Sequence, residues 1–206
     1  MYTPDHFAAS PAAVQNLLTE PSAANLVTMT TKGMVATLLP FVYDPTIGHH
    51  GALRAHLARN NPQWSEAPLG ESLAIVQGHD AYISPSWYAS KAEHGRVVPT
   101  WNYTTAHVYG QLVVHDDPAW LGSHLRELTS LNEARAEQPW TVEDAPERYI
   151  AGQLRAIVGL ELVITRIDAK TKLSQNRPAM DVAGVIAGLE ASGHAAMASQ
   201  VKQARA

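Results

Sequence analysis

The stretch from residue 100 to residue 114 constrains the fold of this chain more than any other. On a period of two it places Trp101, Tyr103, Thr105, His107, Tyr109 and Gln111 on one face and Ala106, Val108, Leu112 and Val114 on the other. Such a strand lays its apolar face on a core and turns an aromatic, polar face elsewhere. Shorter runs share the logic. Residues 26–30 and 34–39 flank Thr31-Lys32-Gly33 as the arms of a hairpin. Leu53, Ala55 and Leu57 alternate with Arg54 and His56. Residues 73–77 form a short apolar run that Ala81-Tyr82-Ile83 continues past a kink at Gly78, and residues 157–164 form the last strong strand.

Helices interrupt these strands. Ser10-Pro11 and Asp117-Pro118 each read as an N-cap followed by proline at the first helical position. Leu121, Leu125 and Leu128 continue the second of these helices, and a shorter helical run surrounds residues 149–154. Val182, Val185, Ile186 and Leu189 mark a C-terminal helix that Gly193 ends. Residues 84–98, rich in Ser, Pro, Gly and charge, read as a long surface loop, either a lid or plain surface. About six strands without regular strand-helix alternation point to an antiparallel β-barrel with peripheral helices rather than a doubly wound parallel sheet.

A chain of 206 residues suits one domain, here 1–206, with a helical extension from about residue 179. The absence of cysteine excludes a disulfide framework, a thiolate metal site and a cysteine nucleophile. Fifteen Lys and Arg against 19 Asp and Glu give a net charge of −4, opposite to what a phosphate backbone attracts, so direct nucleic-acid binding is not expected. Neither a secretory leader nor an apolar span is visible, so the expected location is the cytoplasm, off the membrane.

The usual nucleotide, hydrolase and zincin signatures are missing, the ten histidines are scattered without metal-ligand spacing, and no catalytic acid, base or nucleophile stands out. Polar and aromatic clusters at strand ends remain, and they suit a planar ligand that carries a phosphate. Flavin mononucleotide needs cationic or hydroxyl donors for its phosphate, which Arg59, Lys91 and Thr37 can supply. It needs amide groups at its pyrimidine edge, as on Asn61, Asn102 and Gln175, and aromatic surface, as on Trp64, Trp101 and Tyr103. Each also has a structural reading: the tryptophans as core or interface anchors, Arg59 and Lys91 as solvated charges, His56 and His107 as hydrogen-bonded strand residues.

Six blocks occur here in one order: Met1-Tyr2-x-Pro4-x-His6-Phe7, Asn61-Pro62-Gln63-Trp64, Tyr82-Ile83-Ser84-Pro85-Ser86-Trp87-Tyr88, Pro99-Thr100-Trp101-Asn102-Tyr103 with His107 and Gly110, Ile157-Val158-Gly159, and Lys172-Leu173-Ser174-Gln175-Asn176. Together they resemble the PaiB family, described as FMN-binding negative transcriptional regulators. The resemblance implies the FMN-binding split barrel related to pyridoxamine-phosphate oxidases, a homodimer, and FMN between the subunits. It would set the phosphate near Thr37, Leu38 and the turn from His56 through Arg59 to Asn61, with Trp64 also among the cofactor-binding residues. Trp101, Asn102, Tyr103, Lys172, Ser174 and Gln175 would then line the ring or the interface. The implied role is regulation without direct DNA contact; the alternative is a flavin-dependent oxidoreductase or flavin reductase acting on a small molecule.

Overall fold

The computed structural model describes residues 1–205. Its six strands are β1 (Ser22–Thr30), β2 (Gly33–Asp44), β3 (Ala52–Ala58), β4 (Ser72–Ile83), β5 (Thr100–His115) and β6 (Ile157–Lys172). They close a barrel in the order β1-β2-β3-β6-β5-β4. The pairings β1–β2, β1–β4, β2–β3 and β3–β6 are antiparallel. The expected hairpin is β1–β2, with Thr30 opposite Gly33. Gly33 turns the chain at φ 111°, a backbone conformation that side chains with a Cβ rarely adopt.

The helices are α1 (Pro11–Thr19), α2 (Ser90–His94), α3 (Pro118–Glu133), α4 (Glu147–Leu154), α5 (Ala179–Ala191) and α6 (Ala195–Gln203). Ser10 caps α1, its Oγ accepting from Ala13 N–H at 3.2 Å, and Asp117 caps α3, accepting from Trp120 N–H at 2.8 Å. Among the described residues, no helix is long and apolar enough to cross a membrane.

The chain divides into two compact units. Residues 15–76 and 107–168 make the larger one, which holds β1 to β3 and parts of β4 to β6. Ala24, Leu26, Phe41, Leu53, Leu160 and Leu162 belong to its apolar interior and line a cavity of about 20 Å³. That is room for about one water, far below the several hundred Å³ of a cofactor site, so this cavity does not hold a flavin. Residues 1–14, 77–106 and 169–206 make the smaller unit. Its core gathers Ala81, Ile83 and Tyr88 with Val182, Val185 and Leu189 of α5 and Met197 and Val201 of α6.

Three expectations need correction. Residues 84–98 are not a plain loop: they hold a 3-10 turn at Pro85–Trp87 and helix α2, and Tyr88 is buried. A Cβ at Gly184 or Gly188 would collide with Trp87, so two glycines on α5 open the seat for this segment. The apolar face of β5 stops short of Val114, which is 42% exposed, and it includes the fully buried Asn102. Finally, β6 does not end near Ile164 but runs to Lys172, and a second C-terminal helix, α6, follows Gly193.

Candidate functional site

The expected ligand residues fall into two groups, one in each unit. In the larger unit, the 3-10 turn Pro62–Trp64 carries Gln63 into the interior, where it is 1% exposed. Its Nε2 donates to Leu26 O at 3.0 Å and Thr28 Oγ1 at 3.2 Å. Its Oε1 accepts from Thr37 Oγ1 at 2.5 Å, and Thr37 accepts from Asn61 Nδ2 at 3.1 Å. Asn61 Oδ1 also caps the turn through Gln63 N–H at 3.0 Å. Thr37, Asn61 and Gln63 are therefore a closed polar network that ties the turn to β1 and β2. Leu38, next along β2, points the other way and is 62% exposed.

Arg59 is similarly engaged. Its guanidinium forms a two-pronged pair with Asp116, and it also donates to Arg155 O at 2.8 Å and Ile157 O at 3.0 Å. Trp64 Nε1 donates to Arg59 O at 2.7 Å. His56 turns its Nδ1 to His124 Nε2 at 3.2 Å, and burial lowers its pKa. These contacts tie the barrel wall to its neighbours.

The smaller unit is different. Asn102 and Ser174 bond each other twice, at 3.0 and 3.2 Å, both buried, with Ser174 in the left-handed region at φ 63°. Gln175 accepts from Leu173 N–H and donates to Thr171 O, each at 2.6 Å, so its amide finishes the end of β6 as a neighbouring strand would. Trp101 stays 52% exposed, edge-on to Tyr82 with ring centres 6.1 Å apart. Lys172 donates to Thr100 Oγ1. Its ammonium pKa is lowered by burial first; Tyr103 opposes the shift, while Lys170 and Arg177 add to it. Lys170, two residues back on the same face, is buried with its ammonium 5.5 Å from the Tyr103 ring centre. The sequence reading missed Lys170; its i, i+2 spacing from Lys172 on one strand was the available signal.

His124 was missed too. It lies on the buried face of α3, and burial, then His56 and Arg54, push its pKa down to about 3. Trp120 stacks between His115, at 4.2 Å and 5°, and His124, at 5.3 Å and 25°. Gly159 makes room for Trp120, since a Cβ there would overlap the indole. Among the described residues, no three His, Asp or Glu side chains converge on a metal position.

The family model described as "Putative FMN-binding domain" matches residues 1–166. The chain belongs to this family. Protease synthase and sporulation protein PAI 2 of Bacillus subtilis is 31% identical over 92% of this chain and 89% of its own, which makes the family the PaiB family. Among solved structures, the conserved hypothetical protein Rv2991 of Mycobacterium tuberculosis superposes with a TM-score of 0.57 at 12% identity, covering 87% of this chain and 96% of that one. The FAD and heme binding protein of Mycobacterium smegmatis gives 0.53 at 15%, covering 82% and 74%. These two likenesses concern the fold alone, a split barrel.

The cofactor that membership carries is FMN. The donor set of the smaller unit fits it: exposed aromatic surface at Trp101 and Tyr82, and cations at Lys170 and Lys172 that form no ion pair among the described residues.

Proposed function

We propose that this chain is a homodimeric FMN-binding protein of the PaiB type whose regulatory role does not involve direct contact with DNA. The absence of DNA contact is supported by the charge balance, 15 Lys and Arg against 19 Asp and Glu, and by the ion pairs that engage part of the cations. Lys32 meets Glu66, Arg54 meets Glu127, Arg59 meets Asp116, Arg126 meets Glu143, Arg166 meets Asp168 and Lys202 meets Glu190. Six of the fifteen cations are neutralised in this way, and a net charge of −4 disfavours approach to a phosphate backbone. The lack of cysteine suits a reducing compartment, and the cytoplasm is the proposed location.

Trp101, Tyr103 and Lys172 are the proposed flavin contacts. Asn102, Ser174 and Gln175 support them from behind, because their polar groups are spent on one another and on the end of β6. Thr37, Asn61, Arg59, Trp64 and His56 hold the barrel wall by the same reasoning. Leu38 belongs to the outward face of the β1–β2 hairpin, where Met29 and Met34 are exposed beside it. An uncharged apolar face of this kind suits a second copy of the chain.

Bound FMN supplies reversible one- or two-electron chemistry. A flavin-dependent oxidoreductase is therefore the second reading, favoured by the exposed indole of Trp101, which offers a planar surface to a small partner.

The test is the visible spectrum of protein purified without added cofactor and again after incubation with FMN and removal of the excess. A retained two-band flavin spectrum is expected. Its absence from both samples would sink the reading, and bleaching by a nicotinamide followed by turnover of an acceptor would move it to the second.

A further inference from the structure

Five Lys and Arg are buried or half-buried: Arg54 and Arg59 each have a carboxylate partner, and among the described residues Lys170, Lys172 and Arg177, around the end of β6, form no such pair. Lys170 is 9% exposed. Its ammonium meets Tyr2 O at 3.4 Å and sits among the rings of Tyr2, Phe7 and Tyr103, at 5.9, 5.8 and 5.5 Å from their centres. Aromatic faces return only part of the hydration that a buried ammonium loses. Lys172 follows on the same face of β6, held by the Thr100 hydroxyl. Because that oxygen accepts from Lys172, the Thr100 O–H is left to donate.

Past Lys172 the chain reverses in a tight turn, with Ser174 in the left-handed region and Arg177 N–H donating to Ser174 O at 3.0 Å. The turn brings Arg177 back within electrostatic reach of Lys172. The guanidinium covers the Tyr88 ring at 4.5 Å. Asp181 lies in its field but outside ion-pair distance, and both Asp181 oxygens already accept from Ser90, at 2.9 and 2.7 Å. The smaller unit as a whole carries seven Lys and Arg against five Asp and Glu, while the larger carries eight against fourteen. Among the described residues, none of these three cations has a carboxylate within ion-pair distance, so the group has room for an anionic counter-charge.

We propose that Lys170, Lys172 and Arg177 form a binding site for a phosphate monoester. A phosphate near its dianionic form matches two point charges and one planar fork better than a single carboxylate does, and its three oxygens can take donors from several directions. The site has two candidate sources. One is the phosphate of FMN, in which case the inference deepens the flavin reading and moves the phosphate away from the strand that carries Thr37. The other is a free phosphorylated small molecule, and in that case the site stands without the flavin reading.

The experiment uses the full chain stripped of small molecules. Its thermal unfolding midpoint is measured in inorganic phosphate against chloride of equal ionic strength, and FMN and riboflavin are titrated by flavin fluorescence. The same measurements are made on Lys172→Met, Arg177→Met and Lys172→Arg, with circular dichroism to confirm folding. Phosphate should raise the wild-type midpoint and not that of Lys172→Met or Arg177→Met. If the source is FMN, wild type prefers FMN over riboflavin by about tenfold or more; Lys172→Met loses that preference, keeps riboflavin binding, and Lys172→Arg restores most of it. If phosphate stabilises wild type through Lys172 while FMN and riboflavin bind alike, or neither binds, the site serves another phosphate monoester. The proposal is overturned if phosphate does not stabilise wild type beyond chloride and Lys172→Met leaves the FMN-to-riboflavin ratio unchanged.

Discussion

His56 on β3 and His124 on α3 face each other through Nδ1 and Nε2 at 3.2 Å, with His124 fully buried and its own Nδ1 without a partner. Trp120 roofs the pair, and Arg54 sits in the same electrostatic environment, itself held by Glu127 and Asp44. Helix α3 thus docks on the barrel partly through neutral imidazoles, and one charge added to this pocket would face both a histidine and an arginine.

That arrangement predicts acid sensitivity. Both histidines have folded-state pKa values below the usual 6.5, His124 at about 3, so the unfolded chain binds protons that the folded chain refuses. Stability is then fully present above about pH 6.5 and falls as the pH drops from there toward 3, with a slope of up to about 1.4 kcal/mol per pH unit for each histidine. Urea unfolding at a series of pH values between 7.5 and 4.5 should show this decline. His124→Leu should flatten it; an unchanged slope in that variant would mean the pair does not control it.

Gln63 is the second sensitive point. Removing its amide leaves Thr28, Thr37 and Leu26 O each short of a partner and opens a hole beside them. Gln63→Ala should cost about 2–4 kcal/mol in urea unfolding. Gln63→Glu keeps the shape but turns an acceptor toward Leu26 O, so it should destabilise more at pH 8 than at pH 5. Equal losses at both pH values would contradict the donor role.

Local signals in a single sequence carry elements and caps, and tertiary partners lie outside them. The β1–β2 hairpin, both N-caps and the barrel itself follow from alternation and turn chemistry around Gly33, Ser10 and Asp117, all of them local signals. Gln63 stood inside a block that matched a family, yet nothing local says that a polar side chain enters the interior; its partners on β1 and β2 lie 26 to 37 residues away. Arg59 has the composition of a ligand, but its carboxylate partner Asp116 is 57 residues distant. The role of Gly159 is legible only once the Trp120 indole is seen above it. Pattern fixes which face a residue presents, while the partner that uses up its hydrogen bonds comes from tertiary contact.

Gly159 therefore makes a sharp test of packing. Gly159→Ala forces the Trp120 ring off its seat and disturbs its stack on His115 and His124, at an expected cost of about 1–3 kcal/mol. Near-ultraviolet circular dichroism should change while far-ultraviolet circular dichroism does not. A variant with wild-type stability and an unaltered aromatic signal would show that the indole does not depend on this glycine.

The outward face of the β1–β2 hairpin supplies the last prediction. Met34 is 68% exposed and Leu38 62%, with Met29 beside them at 44%. Met29 lies directly opposite Met34 across the hairpin, and Leu38 lies opposite Asn25, so the patch spans both strands. A charge placed there meets water in a monomer and costs little, but between two copies it would be desolvated without a partner. Leu38→Glu should leave unfolding stability of the isolated chain within about 0.5 kcal/mol and shift sedimentation equilibrium from dimer to monomer. If the flavin lies between subunits, that monomer should also lose FMN. A variant that remains dimeric and retains FMN would place the subunit contact on another face.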